Sequence, residues 1–191
     1  GEDYPWWKYV QRREPTLKDC KELASRLTLA ESVCFQMKGM FDVEAGANLF
    51  PNIPVAAVSH NYSDVISLNL GSGRLFSESE SASARPVCVI GHDVAMNLFG
   101  TLEVLGSKLK VKGSKMEIIG VFAKEGASIV SGGFDEFVIV PATFGPRLFD
   151  IHSNDGNTIM VKAKAGVEIA VVKDEIVQQF RSVRRVRPSD V

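Results

Sequence analysis

Apolar positions along this chain recur with two periods, and the switches between them mark its elements. Thr16 and Asp19 have the spacing of a capping box. Leu17, Cys20, Ala24 and Leu27 follow at steps of three and four, which predicts a short amphipathic helix. Before it, residues 6–11 alternate loosely as a strand. After it, residues 32–43 (SVCFQMKGMFDV) read as a second strand. Pro51 and Pro54 are expected to break the chain, with a further strand over 55–59. The far end mirrors this scheme. Ile159, Val161 and Ala163 alternate on one face of a strand, and Gly166 punctuates. Ile169, Val172, Ile176 and Phe180 then fall on one stripe of a helix over 167–180. Val183 and Val186, among arginines, are expected to close with a strand.

The middle has a different texture. Strands are predicted over 108–111, 116–122 and 137–140, with Gly113-Ser114-Lys115 as a hairpin turn. SESESASAR at 77–85 reads as a surface loop with little to pack. PVCVIGHDVAMNLFG at 86–100 reads as a buried strand, a turn at Gly91 and a helix near 93–99. The pattern therefore predicts an α+β fold. A split βαβ layer is built by both chain ends, residues 1–57 and 145–191, and a mostly β unit, 58–144, is inserted between them.

Composition is that of a folded globular chain: 191 residues, 45% hydrophobic and 24% charged. Formal net charge is -1, so no global field recruits nucleic acid or anionic lipid. No apolar run approaches the ~20 residues of a membrane helix, and no targeting segment is legible. Cys20, Cys34 and Cys88 lack metal-ligand spacing and read as buried free thiols, with a Cys20–Cys34 bridge left open for an oxidising compartment.

Candidate chemistry is sparse. Gly71-Ser72-Gly73 lacks the third glycine of a dinucleotide fingerprint, and no phosphate-loop motif occurs. His92-Asp93 at a strand–turn–helix junction is the one arrangement that invites a catalytic reading, as in a small hydrolase. Sequence neighbours do not face each other on a helix, however, and Asp93 suits a helix first turn. No nucleophile elbow accompanies the pair. His60 reads as an exposed strand end. Glu78, Glu80, Asp135, Glu136, Asp174 and Glu175 read as solvated charges. The run Arg181–Arg187 could serve nucleic acid but lacks interleaved aromatics. Solvated arginines reaching lipid phosphates fit it better. Tyr4-Pro5-Trp6-Trp7 reads as a ligand platform or an interfacial anchor. No catalytic, cofactor-binding or metal-ligating residue is assigned.

In order along the chain, several stretches resemble the extracytoplasmic core domain of the MacB/FtsX-like ABC-transporter permeases. Residues 86–100 are similar to that family's "vaviG…va..LFg", and 68–76 (LNLGSGRLF) to "l..GR.F". LGSKLKV at 105–111 resembles "pvGk.i.i", MEIIGV at 116–121 "f.ViGv", and VIVP at 138–141 "v.iP". PTLKD at 15–19 and IMVKAK at 159–164 match the opening helix start and the closing strand.

The resemblance implies a porter-like α/β subdomain made from both ends, with the β-rich subdomain inserted. It implies a non-enzymatic domain without a cofactor, on the periplasmic side of the cell inner membrane. Its partners would be its own transmembrane helices and a cytoplasmic ATPase subunit or domain. A homodimer or paired permease and a periplasmic partner protein are also implied, and nucleic acid is not. Work would pass by mechanical transmission, for export, lipoprotein release or partner activation. Two other readings stand beside it: the hydrolase using His92 and Asp93, and a freestanding module that binds a peptide or lipid between its subdomains. Partner contacts are expected first at 77–85, since loops on a rigid scaffold carry recognition.

Overall fold

The computed structural model describes residues 14–125, 133–150 and 156–185. Chain order begins with α1 (Leu17–Arg26), β1 (Ala30–Ala45), β2 (Asn48–Val58), α2 (Tyr62–Val65), β3 (Leu70–Gly73) and α3 (Glu78–Ala82). There follow β4 (Val87–Ile90), α4 (His92–Phe99), β5 (Lys108–Val111), β6 (Ser114–Phe122) and β7 (Val138–Pro141). A 3₁₀ turn (Ala142–Arg147), β8 (Thr158–Ala163) and α5 (Ile169–Arg185) complete it. The result is a mixed α/β fold dominated by sheet.

All eight strands belong to one sheet, and six of them close into a ring. Its order is β1, β2, β7, β4, β6, β5 and back to β1, with β2–β7 and β4–β6 parallel and the other pairs antiparallel. Closure depends on the length of β1. One edge pairs with β2, while the other meets β8 from Ala30 to Gln36 and then β5 at Val43 and Glu44. β3 is added outside the ring on β6.

Alternation sorts the apolar residues onto the two faces of this sheet. Val55 and Ala57 of β2, Cys88 and Ile90 of β4, and Val138 and Val140 of β7 join one core with α1 and α4. Their neighbours Ala56, Val58, Val87, Val89 and Ile139 join a second core with Tyr62, Phe76 and Phe122. Strands buried on both faces read as continuous apolar runs, which is what VCVI and VIVP are.

The capping box forms as expected: Thr16 Oγ1 accepts from the Asp19 amide at 3.1 Å, and the Asp19 carboxylate accepts from the Thr16 amide at 2.9 Å. The stripe below it runs through Leu17, Cys20, Leu23 and Leu27, with Leu23 buried where Ala24 was expected and Ala24 exposed. The hairpin turn lies at Lys112 and Gly113, both at positive φ (50° and 79°), one residue ahead of the expected Gly113-Ser114-Lys115, because Ser114 and Lys115 already belong to β6.

Three expectations are corrected. Pro51 and Pro54 lie within β2 and do not break it. Their part of β2 has a neighbour only in β1, because β7 joins from Val55 onward, and edge positions tolerate proline. Asn52, at φ 56°, lies in a bulge of β2, where Pro51 and Asn52 face Asp42 alone, and its amide donates to Asp42 Oδ1 at 3.0 Å. Residues 78–82 are helical, with Ser77 and Glu80 as a second capping box. The third correction is at the C-terminus, where α5 continues through Arg185 and buries Val183 in place of a closing strand. The arginines of this stretch favour helix. With that strand gone, the C-terminal half of the expected βαβ unit is a strand and a helix alone among the described residues. The expected strand at 6–11, Tyr4–Trp7 and residues 186–187 fall outside the described residues.

Candidate functional site

His92 and Asp93 open α4, and contrary to the neighbour argument they do meet. His92 Nδ1 lies 2.7 Å from Asp93 Oδ1. Lys124 Nζ lies 3.5 Å from the same carboxylate oxygen. The hydrogen bond with His92, seconded by Lys124, holds the Asp93 carboxyl below its usual range. Main-chain groups anchor the junction: the Gly91 amide donates to the Phe137 carbonyl at 2.7 Å, and the Asp93 amide to that of Asp135 at 2.8 Å. The third side chain at the pair is thus a cation, and its chemistry is that of a tethered helix terminus.

A groove of about 910 Å³ opens beside this junction. Gln36 and Lys38 of β1 contribute one wall, and Tyr62 and Val65 of α2 with the following Ile66 the next. Phe134, Phe137 and Lys124 supply the opposite side. Tyr62 donates its hydroxyl hydrogen to Gln36 Oε1 at 2.8 Å, and burial pushes its phenol up to about 12. Lys38 Nζ sits 4.7 Å from the centre of the Phe137 ring, a cation–π contact. These residues come from four separated segments, so sequence reasoning missed the groove. The one local hint was Phe134 and Phe137 together ahead of a strand.

Residues 77–85 are folded around a carboxylate. Glu80 is buried and accepts from Arg74 Nη1 at 2.7 Å, Arg74 Nη2 at 3.0 Å and the Ser77 amide at 2.9 Å. Arg85 Nη1 stands 3.5 Å away, and Thr143 Oγ1 donates to the Ser81 carbonyl, tying α3 to the 3₁₀ turn. The Arg74 bonds, then the Ser77 amide, lower the Glu80 carboxyl from 4.5 to about 2. A depressed folded value gives stability that is complete above about pH 4.5 and lost as pH falls toward 2. Glu80→Gln is expected to cost about 1–2 kcal/mol at pH 7. The cost should vanish near pH 2, as urea midpoints across that range would show.

The three cysteines are buried and free. Burial pushes the thiols of Cys20 and Cys34 to about 12 and about 11, and that of Cys88 upward too. Cys20 joins one core and Cys34 the other, on opposite faces of β1. Among the described residues, no group of three or more His, Cys, Asp or Glu side chains could hold a metal ion. No described helix is long and apolar enough to cross a membrane. His60 is exposed after β2. Glu175 is more than a solvated charge, since it accepts from the Thr28 and Leu29 amides at 2.8 and 3.1 Å.

The described residues form a sheet closed into a ring with α1 packed beside α5, and comparison with known proteins gives the class of this domain. A sequence model of the MacB-like periplasmic core domain matches residues 5–179, and the chain belongs to that family. The macrolide export ATP-binding/permease protein MacB of Chlorobium luteolum is 24% identical over 92% of this chain and 26% of its own length. Its namesake in Wolinella succinogenes is 35% identical over 47% of this chain and 14% of that protein. The chain thus spans about a quarter or less of the curated relatives it matches.

The fold is that of the periplasmic region of MacB from Actinobacillus actinomycetemcomitans, with TM-score 0.77, 18% identity, and 97% of this chain and 81% of that chain covered. It is likewise that of the extracellular domain of the noncanonic ABC-type transporter YknZ from Gram-positive bacteria, with TM-score 0.75, 20% identity, and 94% and 89% covered. The chain is therefore an ABC-permease domain of the kind that sits on the outer side of the membrane.

Proposed function

We propose that this domain transmits force for an ABC-type permease: ATP hydrolysis in the cytoplasm moves transmembrane helices, which move the domain as a body outside the membrane. The observation that carries the reading is the mounting of the chain ends. α5 is tied to the α1–β1 junction by Glu175 on Thr28 and Leu29, and by Arg26 Nη1 donating to Ser182 Oγ at 3.0 Å. β8, which leads into α5, pairs with β1, the strand that closes the ring. A displacement at either end thus reaches a closed, doubly packed sheet that moves with little internal deformation.

The finer organisation follows the sequence reading. Residues 1–57 and 145–191 form the membrane-coupled subdomain, and 58–144 form the inserted one. The natural setting is the periplasmic face of an inner membrane, in a homodimer or paired permease, with a cytoplasmic ATPase and a periplasmic partner. The work done is export, lipoprotein release or activation of that partner. The relatives named for macrolide export support the first of these.

Two results test the reading. The full gene product should carry apolar segments of about 20 residues before Gly1 and after Val191; polar flanks would overturn it. Ser63→Cys, exposed on α2, should react with a membrane-impermeant maleimide in intact cells, after outer-membrane permeabilisation where there is one. The buried native thiols leave a low background. Labelling only after lysis of the inner membrane would place the domain on the wrong side.

A further inference from the structure

β5 and the start of β6 present lysines on one outward face. Leu109, Val111 and Met116 point into the core, so Lys108, Lys110 and Lys115 point out, each of them exposed. Register places Lys110 directly opposite Lys115. Like charges paired directly across two strands destabilise a sheet. The neighbouring carboxylates are Glu117, opposite Lys108, and Glu44 of β1, opposite Lys110. Among the described residues, none of these three lysines has a carboxylate within 4.0 Å, unlike Lys124 with Asp93 or Lys162 with Glu31. A recess of about 300 Å³ runs between Glu44, Gly46 and the three lysines. The chain as a whole has net charge -1, so this cationic ladder is local.

Its position selects among anionic partners. α5 returns to the α1–β1 junction, beside Ala30 at one end of β1. The ladder lies beside Glu44 at the other end of that strand, as much as about 45 Å away along its length. With α5 leading to a membrane helix, as proposed above, the ladder stands toward the membrane-distal end of β1.

We infer that the Lys108–Lys110–Lys115 face is a docking surface for a soluble protein that presents carboxylates, which would form the close ion pairs that Glu44 and Glu117 do not make with these lysines. The inference rests on the permease reading for its orientation, but its test does not. Octaglutamate peptide, joined to the 191-residue chain by a zero-length carbodiimide at low salt, should attach mainly to these three lysines. The triple variant Lys108→Gln, Lys110→Gln, Lys115→Gln should bind fluorescent octaglutamate at least tenfold more weakly. Its urea midpoint should be unchanged or higher, since a like-charge pair has been removed. Attachment spread evenly over other exposed lysines such as Lys18, Lys162 and Lys173, or equal affinity of the variant, overturns the surface. Binding of the chain to phosphatidylglycerol-containing vesicles that is lost in the variant would assign the face to lipid and overturn the protein partner. Polar flanking sequence would sink the permease reading and leave the peptide result standing.

Discussion

Gly91→Ala is expected to destabilise the domain by about 3 kcal/mol or more, far beyond the cost of a glycine replaced in open space. Gly91 has φ -69°, a conformation open to any residue, so freedom of the backbone is not what it supplies. A Cβ at this position would overlap the main-chain oxygens of Asp135 and Phe134. Those oxygens belong to the segment that receives the Asp93 amide and leads into β7, so it has little room to retreat. Gly46 makes the contrast: its φ is +59° and nothing lies within 4 Å of an added Cβ. Gly46→Ala should cost about 1 kcal/mol through backbone strain alone. Urea unfolding of both variants separates the two mechanisms. A loss below about 1 kcal/mol for Gly91→Ala would mean that the 134–135 segment yields and the packing there is loose.

That glycine also shows where sequence reasoning stops. Its neighbours were read correctly, because the run Val87–Ile90 and the stripe Val94–Leu98 are local patterns. The close approach comes from residues more than forty positions away, and nothing in PVCVIGHDVAMNLFG announces it. The SESESASAR segment was misread for a second reason: its composition reads as a solvated loop, although Ser77 and Glu80 have the local spacing of a capping box. Arg74 and Thr143 then anchor Glu80 and Ser81 from outside the segment. The prolines of β2 were misread because tolerance depends on which edge of the strand is empty, a property of topology. Closure of the ring was equally invisible, since β1 changes partner from β8 to β5 along one edge. The groove at Tyr62 and Phe137 shares this non-local origin. The ordered series of family-like motifs was legible because each motif is a local strand or turn.

Val183→Asp should detach α5, with a loss of several kcal/mol from an uncompensated buried charge. Val183 is fully buried near the end of α5, and Ile176 and Phe180 of the same helix pack against the main core. Val183→Ala, which removes only two methyl groups, should cost about 2 kcal/mol and keep the helix in place. Hydrogen exchange distinguishes local release from global unfolding. In Val183→Asp, the amides of α5 and the Thr28 and Leu29 amides that donate to Glu175 should lose protection before those of β4 and β7. Protection of α5 equal to that of the parent chain would show that Val183 is not what seats the helix. In the full-length permease the same substitution carries a functional expectation. If force enters through α5, Val183→Asp should leave membrane insertion and ATPase binding intact while abolishing the movement outside. Val183→Ala should retain it, because a seated helix still transmits what it receives.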